Sequence, residues 1–289
     1  MHRYSGEWLG VAPHIVVLGS RKVGNFIAIG PALRGLRSRF PDAVIGFIGS
    51  QITVDFEQAN PVIDWRTSWD DKSDDAGLVL QQTLQNQRQQ HGRVALAVNF
   101  DSFNPVTCLL IPWLRPTYVA GGSFTSNLHG PMPWGDEPRQ SFLADQDWDG
   151  ADFLKRFPEV FQSQYIAELF CNLAYVQDYV DPKILDLPSS APSFEVPELL
   201  IHCTTARGAK VWPFYYWLKL INFVIEGGWR VGLLGSSPNL QREAYNSGDG
   251  EEWLLQATDL IDLRGQTSLI ELAGAARQAR AMVSVDAGP

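Results

Sequence analysis

The sequence has few of the features that identify secreted or nucleic-acid-binding proteins. Only three cysteines occur among its 289 residues, at Cys108, Cys171 and Cys203. Their number and spacing fit neither a disulfide framework nor a CxxC pair, so we expect buried thiols in a reducing compartment. Acidic residues outnumber basic ones by 32 to 23, for a net charge of -9. That balance argues against a nucleic-acid partner, because phosphate backbones are bound by clustered Lys and Arg.

Membrane, metal and dinucleotide signatures are also missing. No apolar run reaches the roughly 20 residues that span a bilayer, and the first residues lack the apolar core of a signal peptide. No DxD-like motif lies in a plausible loop, and the five histidines show no ligand spacing, so we expect no metal and no bound cofactor. No GxGxxG follows a strand, which disfavours a Rossmann-type oxidoreductase. We therefore expect a cytoplasmic protein with at most a peripheral membrane contact.

What the sequence does contain is an alternation of apolar strands and amphipathic helices. Residues 14–19 form a continuous apolar run, typical of a strand buried on both faces. Residues 31–40 predict a helix with leucines and a phenylalanine on one face and three arginines on the other. The arginine face suits solvent or an anionic membrane. Residues 43–48 predict the next strand, so this is a βαβ unit of a parallel sheet.

The same alternation runs to the end of the chain and is interrupted once. A Pro- and Ser-rich stretch at 188–197 predicts a linker between an N-terminal domain, 1–187, and a C-terminal domain, 198–289. The fold class is therefore α/β, with two tandem doubly wound Rossmann-like domains. A Gly-, Pro- and Trp-rich segment at 121–152 predicts a lid or acceptor-contacting loop. The remaining predicted strands are 94–100, 117–120, 199–203, 230–234, 260–263 and 281–285, and the remaining helices are 78–90, 107–114, 163–175, 213–226, 238–245, 251–256 and 268–277.

Two segments near the end place small, hydroxyl and charged residues directly after a strand. Residues 201–213 run from a strand into a polar loop that carries Lys210, and Pro213 favours a helix start just beyond it. Residues 281–289 run from a strand to Asp286 and Gly288. Ligands of doubly wound folds bind at the carboxyl ends of the strands, and phosphates favour helix N-termini. Both segments therefore predict a phosphorylated ligand, with Lys210 able to stabilise its charge.

Four stretches resemble glycosyltransferase family 9, the ADP-heptose:lipopolysaccharide heptosyltransferases and their relatives. They are PALRGLRSRFPD (31–42), TTARGAKVWP (204–213), DLRGQTSLIELA (262–273) and VSVDAGP (283–289). The resemblance implies a GT-B fold, with an N-terminal acceptor domain and a C-terminal nucleotide-sugar domain. It implies inverting, metal-independent transfer of a heptose or related sugar from an ADP-heptose-like donor. The acceptor would be a glycan, a lipid or a protein. The family's last motif continues beyond Asp-Ala-Gly-Pro, so we expect an incomplete second domain.

The resemblance also implies the residues of the donor site. Phosphate contacts fall to Thr204, Thr205, Arg207 and Lys210, and the strand-end turn contributes Asp286, Ala287 and Gly288. Gly235 and Ser236 would border the nucleoside. Family members carry an acidic residue near the ribose, but this chain has no carboxylate at Ser236 or Ser237. The identity of the nucleotide therefore stays open.

The general base is where the chain departs from the family. The family's catalytic Asp follows a Gly after the first strand, and the matching pair here is Gly24-Asn25. A neutral amide is not a general base, although Asn25 could orient an acceptor. Asp101 follows the strand 94–100 and is the expected replacement, but an Asp there also suits the cap of a turn. A catalytically degenerate binding or scaffold protein is the alternative, and the oligomeric state is left open.

Overall fold

Two all-parallel sheets organise the chain. A computed structural model describes residues 1–145, 147–205, 207–245 and 249–286. It divides the chain into one unit at Met1–Asp186 and a second at Leu187–Pro289. Leu187, the last residue of the predicted N-terminal domain, and Ser190 of the predicted linker both belong to the second unit. There the Leu187 carbonyl accepts from Arg277 at 3.2 Å and the Ser190 amide donates to the Ile270 carbonyl at 3.0 Å.

The first unit is built on a six-stranded sheet. Its strand order is β1-β6-β5-β2-β3-β4. Its central strand β2 is buried along its whole length, as the continuous apolar run predicts. The short strands β1 and β4 at the edges were not expected. The strands are β1 (His2–Arg3), β2 (His14–Leu18), β3 (Val44–Gly49), β4 (Trp65–Ser68), β5 (Val94–Asn99) and β6 (Tyr118–Gly121).

Helices connect these strands and cover the sheet. The segment 121–152 is not one long irregular loop, since it contains a short helix, α5, and a 3-10 turn at Phe142–Ala144. A second 3-10 turn lies at Gln177–Tyr179. The helices are α1 (Val23–Arg39), α2 (Val54–Ala59), α3 (Ala76–His91), α4 (Pro105–Leu114), α5 (Pro138–Ser141), α6 (Phe153–Arg156) and α7 (Ile166–Leu173). No helix in the described part of the chain is long and apolar enough to cross a membrane.

The prediction that the first helix begins at Pro31 was wrong. Helix α1 begins at Val23 and carries Pro31 in its interior. An interior proline costs a helix about 3 kcal/mol, but the residues before it include Phe26 and Ile29, which are 2% and 1% exposed. Burial of such side chains gains about 1.5–3 kcal/mol each and offsets the proline. Asn25 therefore lies in the first turn of a helix and not in a polar turn.

The arginine face of α1 is not a solvated face either. Arg37 donates to the carbonyls of Ala43 and Val62, at 2.6 and 3.0 Å, and Arg39 donates to the Tyr175 carbonyl at 2.6 Å. Each guanidinium presents several donors in one plane and satisfies carbonyls of neighbouring segments. These two arginines therefore connect α1 to neighbouring segments of the first unit.

The second unit has a four-stranded sheet in the order β10-β7-β8-β9. All eight of its predicted helices and strands are present, and β7 is buried along its length. Trp217 and Ile221 of α8 are buried against this sheet, as its apolar stripe predicts. The strands are β7 (Leu199–His202), β8 (Val231–Leu233), β9 (Ile261–Asp262) and β10 (Ala281–Ser284), and the helices are α8 (Phe214–Glu226), α9 (Pro238–Ala244), α10 (Gly250–Ala257) and α11 (Leu269–Gln278). A 3-10 turn spans Gly208–Lys210.

Candidate functional site

The first unit has a cavity of about 400 Å³ beside the carboxyl ends of β2 and β5. It brings together two of the predicted site residues, Asn25 from the first turn of α1 and Asp101 from the loop after β5. Lys22, the N-terminal capping residue of α1, adds a cation. Parallel strands end at one edge of the sheet, which is why residues distant in sequence share this lining.

Asp101 is both a turn residue and a cavity residue. Its backbone carbonyl accepts from the Asn104 amide at 2.9 Å, and its Oδ2 accepts from Asn104 Nδ2 at 2.8 Å. Its own amide donates to Asn99 Oδ1 at 3.0 Å. The two interpretations of the sequence are therefore compatible, since the turn fixes the carboxylate in the cavity wall.

Aromatic side chains form the rest of this wall. Phe103 and Trp148 stack with their ring centroids 6.2 Å apart and their planes 12° apart. Phe142 and Trp148 come from the segment 121–152, which the sequence assigned to acceptor contacts, and both line the cavity. An apolar wall with one carboxylate, one ammonium and one amide can hold a hydroxylated compound and accept a proton from it.

In the second unit the two predicted strand-end segments lie side by side. Strand β10 pairs with β7 in register, with Ser284 opposite His202. Lys210 forms an ion pair with the Asp286 carboxylate, and the Thr205 hydroxyl donates to the Asp286 carbonyl at 3.3 Å. The Lys210 side chain is 33% exposed and that of Asp286 is 78% exposed. An incoming anion can therefore reach the ammonium and compete with the carboxylate for it.

The other predicted donor residues differ in accessibility. Thr204 is 1% exposed and donates its hydroxyl to Gln241 Oε1 at 2.7 Å, so it supports the loop from below. Arg207 is exposed, and its amide lies 3.4 Å from Thr205 Oγ1. The Ser236 hydroxyl is buried and has no hydrogen-bond partner among the described residues. Ala287 and Gly288 lie outside the described residues.

Gln241 of α9 was missed by the sequence analysis. It is 1% exposed, and besides holding Thr204 it packs against Gly235 so closely that a Cβ there would come 1.7 Å from Gln241 Nε2. Gly235 also accepts from the Gly265 amide at 2.8 Å. The requirement for glycine at position 235 is thus one of packing. No sequence pattern around a Gln on a short helix predicts this packing role.

A buried charge cluster beside these loops was also missed. The Arg264 guanidinium is 4% exposed and binds the carboxylates of Glu251 at 3.0 Å and Asp262 at 2.9 Å. Burial raises the pKa of Glu251, while the bond from Arg264 lowers the pKa of Asp262. Breaking such a pair leaves a buried charge without a partner, so the cluster fixes the loop after β9 against the start of α10. The only local sequence signal for this cluster was the pair Asp262 and Arg264, which are separated by one leucine.

The predicted burial of the cysteines is confirmed, since all three are buried and unpaired. Burial raises the pKa of Cys108 to about 11 and that of Cys171 to about 12, so these thiols are not nucleophiles at neutral pH. Among the described residues, no three His, Cys, Asp or Glu side chains gather in a way that could hold a metal ion.

Comparison with known proteins agrees with this architecture. Residues 171–289 match the sequence profile of glycosyltransferase family 9 (heptosyltransferase). No curated protein sequence is significantly similar to the chain.

Solved structures match the chain over nearly its whole length. A family 9 glycosyl transferase from Veillonella parvula superposes with a TM-score of 0.68 at 16% identity, covering 96% of this chain and 77% of its own. ADP-heptose lps heptosyltransferase II of E. coli has a TM-score of 0.60 at 17% identity, over 95% and 80%. The E. coli heptosyltransferase WaaC with ADP-2-deoxy-2-fluoro heptose has 0.61 at 15% identity, over 95% and 83%.

These likenesses confirm the predicted GT-B-like α/β fold. Residues 171–289 are similar to glycosyltransferase family 9 (heptosyltransferase), and along nearly its whole length the chain has the fold of solved structures of that family.

Proposed function

We propose that this protein is an inverting, metal-independent glycosyltransferase. It transfers a heptose or related sugar from an ADP-heptose-like nucleotide sugar to a glycan, lipid or protein acceptor. The E. coli WaaC structures contain ADP or an ADP-heptose analogue, which supports a nucleotide-sugar donor. The proposal places the enzyme in the cytoplasm, with at most a peripheral contact at the inner membrane face.

One observation carries the proposal. Thr205 and Lys210 of the β7 loop both contact Asp286 at the end of β10, within the segment that matches the family. A diphosphate that displaces Asp286 from Lys210 would gain a charge-assisted hydrogen bond to the ammonium. In transfer, the bond between the sugar and the diphosphate breaks, and negative charge grows on the leaving oxygen. Lys210 stabilises that charge, with Thr205 and Arg207 beside it.

The first unit would supply the other half of the reaction. An acceptor hydroxyl held in the cavity loses its proton to Asp101 as its oxygen bonds to the anomeric carbon of the sugar. Attack from the face opposite the diphosphate inverts that carbon. Asn25 would orient the acceptor, and the aromatic wall with Phe103 and Trp148 would hold its apolar face.

The alternative is a catalytically degenerate member that binds its ligands without transfer. Two observations favour it: Asn25 is neutral where the family has its Asp, and the Asp101 carboxylate accepts a hydrogen bond from Asn104 within its own turn. A binding protein of this kind needs the donor loop but not the base.

A nucleotide-release assay distinguishes an active transferase from a binding protein. It uses a panel of nucleotide heptoses and hexoses, each tested with lipid, glycan and peptide acceptors, and measures free ADP or another nucleotide. An active transferase releases nucleotide only with an acceptor present, forms a product of inverted anomeric configuration, and keeps its rate in EDTA. Binding without turnover on every pair would establish the alternative. Activity that EDTA abolishes would contradict metal independence.

A further inference from the structure

The first unit has a second cavity, which lies at the amino ends of its strands. It has a volume of about 240 Å³ and lies where β2, β4 and β5 begin, at His14, Trp65 and Val94. The cavity with Asn25 and Asp101 lies at the carboxyl ends of β2 and β5. The second cavity therefore belongs to neither half of the proposed transfer reaction. Its polar and aromatic lining includes His14, Trp65, Gln87, Arg88, Trp113 and Arg115.

Three buried polar atoms of this lining have no hydrogen-bond partner among the described residues. They are His14 Nε2, Trp65 Nε1 and Gln87 Oε1. Buried polar groups without partners are rare in folded proteins, because the loss of their hydrogen bonds to water is not compensated. Three of them on one cavity indicate that a ligand or ordered water supplies the missing bonds.

The chemistry of these atoms defines what they would bind. His14 is 3% exposed, and its Nδ1 lies 3.3 Å from the Gly92 carbonyl. A carbonyl only accepts, so Nδ1 carries the proton and Nε2 is an acceptor. Burial lowers the pKa of His14, which keeps the ring neutral. The indole of Trp65 is a donor and the Gln87 oxygen an acceptor, so the cavity suits a ligand that donates and accepts, as hydroxyls do.

The backbone is shaped around this cavity. The pairing of β2 with β5 shifts register between His14 and Ile15, a bulge at the start of the strand. Bulges re-aim side chains and recur beside functional sites. Gly46 leaves room for the indole of Trp65, since a Cβ at that position would come 2.0 Å from the ring. The position of Trp65 Nε1 is therefore built into two neighbouring strands.

The mouth of the cavity is cationic and aromatic. Arg88 and Arg115 are exposed there, and neither makes an ion pair among the described residues. Arg93 lies beside them, with its guanidinium donating to the Arg115 carbonyl at 3.3 Å. The Trp113 ring is 47% exposed and offers a face for stacking. On a chain with a net charge of -9, such a mouth is a local attraction for an anion.

We propose that this cavity binds a single sugar ring that carries one anionic group, such as a sugar phosphate or a sugar acid. The ring hydroxyls pair with His14 Nε2, Trp65 Nε1 and Gln87 Oε1, and the apolar face of the ring lies against Trp113. The anionic group lies between Arg88 and Arg115. Water alone would satisfy the buried atoms but leaves the aromatic face and the two arginines without a partner. A full nucleotide sugar is too large for about 240 Å³.

Calorimetry with glucose-6-phosphate, glucuronate, glucose and inorganic phosphate tests this proposal. We expect one of the two anionic sugars to bind with a Kd below about 1 mM, and glucose and phosphate to bind at least about tenfold more weakly. The preference between the two anionic sugars distinguishes a phosphate from a carboxylate ligand. Equal binding of glucose would overturn the anion-binding role of the arginines.

Variants locate the binding. Trp65→Phe keeps a ring on Gly46 but removes the donor, and should weaken binding about tenfold. The double variant Arg88→Gln with Arg115→Gln should weaken it at least as much. Arg280→Gln, an arginine of the second unit that lies over Trp229, is the control and should change nothing. Melting curves establish that each variant is folded.

The proposal does not depend on transfer activity. Lys210→Gln should leave this binding intact, so failure here and failure of the proposed function are distinguishable. Absence of heat from every probe at about 10 mM would overturn the proposal, because a site that weak is not selective. Binding that survives both Trp65→Phe and the arginine double variant would also overturn it.

Discussion

In both units the carboxyl ends of a parallel sheet carry a candidate binding surface, and the two surfaces differ in chemistry. In the first unit a carboxylate and an amide lie in the wall of an aromatic cavity of about 400 Å³. In the second unit a threonine, Thr205, and a lysine, Lys210, contact the exposed Asp286. The first surface can hold an apolar or hydroxylated ring and take up a proton, whereas the second can hold an anion. The same fold thus yields two chemistries through the loops that follow its strands.

The two surfaces also differ in the residues that hold their loops in place. Asp101 is held by a local turn through Asn104, whereas the loop after β7 is held by a distant residue, since Thr204 bonds Gln241 of α9. We infer that the placement of the Asp101 carboxylate tolerates changes in the rest of its unit. The second surface depends on the packing of its unit.

The largest expected effect comes from Asp101→Asn. The variant keeps the size of the side chain but removes the base, and turnover should fall between about 100-fold and 10,000-fold. Steady-state nucleotide release measures it. Asn104→Ala is the control, because it removes the donor to Oδ2 and the cap of α4 but leaves the carboxylate, and it should cost much less turnover. Equal losses in both variants would mean that the turn, and not the base, is what matters.

Lys210→Gln should follow, with a loss of about 100-fold to 1,000-fold in kcat. The substitution removes the positive charge that faces Asp286 and, in the proposed reaction, the leaving diphosphate. Lys219→Gln is the matched control, because Lys219 is exposed on α8 and lies over the Tyr215 ring. Full activity in Lys210→Gln would remove the main distinction between the two surfaces.

The second unit should be the more sensitive to acid through His202. Burial lowers the pKa of His202 from 6.5 to about 4, so the unfolded chain takes up a proton first as the pH falls. The stabilising contribution is complete above pH 6.5 and is lost between pH 6.5 and 4. Between pH 7 and pH 5 the loss should be about 2 kcal/mol.

Chemical unfolding of the parent and of His202→Gln at both pH values measures this effect. The parent should lose about 2 kcal/mol more than the variant on acidification. Identical pH dependence in the two proteins would show that His202 is not buried in its neutral form.

A smaller effect is expected at the start of α11. Ser268 and Glu271 form a capping box, in which the Ser268 hydroxyl accepts from the Glu271 amide. Ser268→Ala should cost about 1 kcal/mol of unfolding free energy. Ser38→Ala, at an exposed position of α1, should cost almost nothing. A comparable loss at Ser38 would indicate a general effect of the substitution rather than loss of a cap.

The sequence predicted the second unit better than the first. Its strands are separated by helices with clear apolar stripes and strong stops such as Gly227-Gly228, so all eight elements could be placed. In the first unit a rule misled the prediction, because Pro31 usually marks a helix start but here lies inside α1. The edge strands β1 and β4 are short, and β4 reads Trp-Arg-Thr-Ser, which has no apolar run to detect.

For the site, the sequence identified loops but not their supports. Residues that follow strands, such as Asp101, Lys210 and Asp286, are recognisable from their position. Gln241 acts through burial and a distant partner, and no local pattern encodes a partner thirty or more residues away, as in the Thr204–Gln241 bond. The cavity at the start of the strands could not be predicted for the same reason, since its lining comes from five separate elements and from Arg115 just after α4.

The central claim is that donor binding belongs to the second surface and proton removal to the first. Calorimetric titration of ADP and of ADP-heptose into the parent, Asp101→Asn and Lys210→Gln tests it directly. We predict that Asp101→Asn binds both ligands with the affinity of the parent, while Lys210→Gln binds them at least about tenfold more weakly. Weakened binding in Asp101→Asn together with unchanged binding in Lys210→Gln would contradict the account.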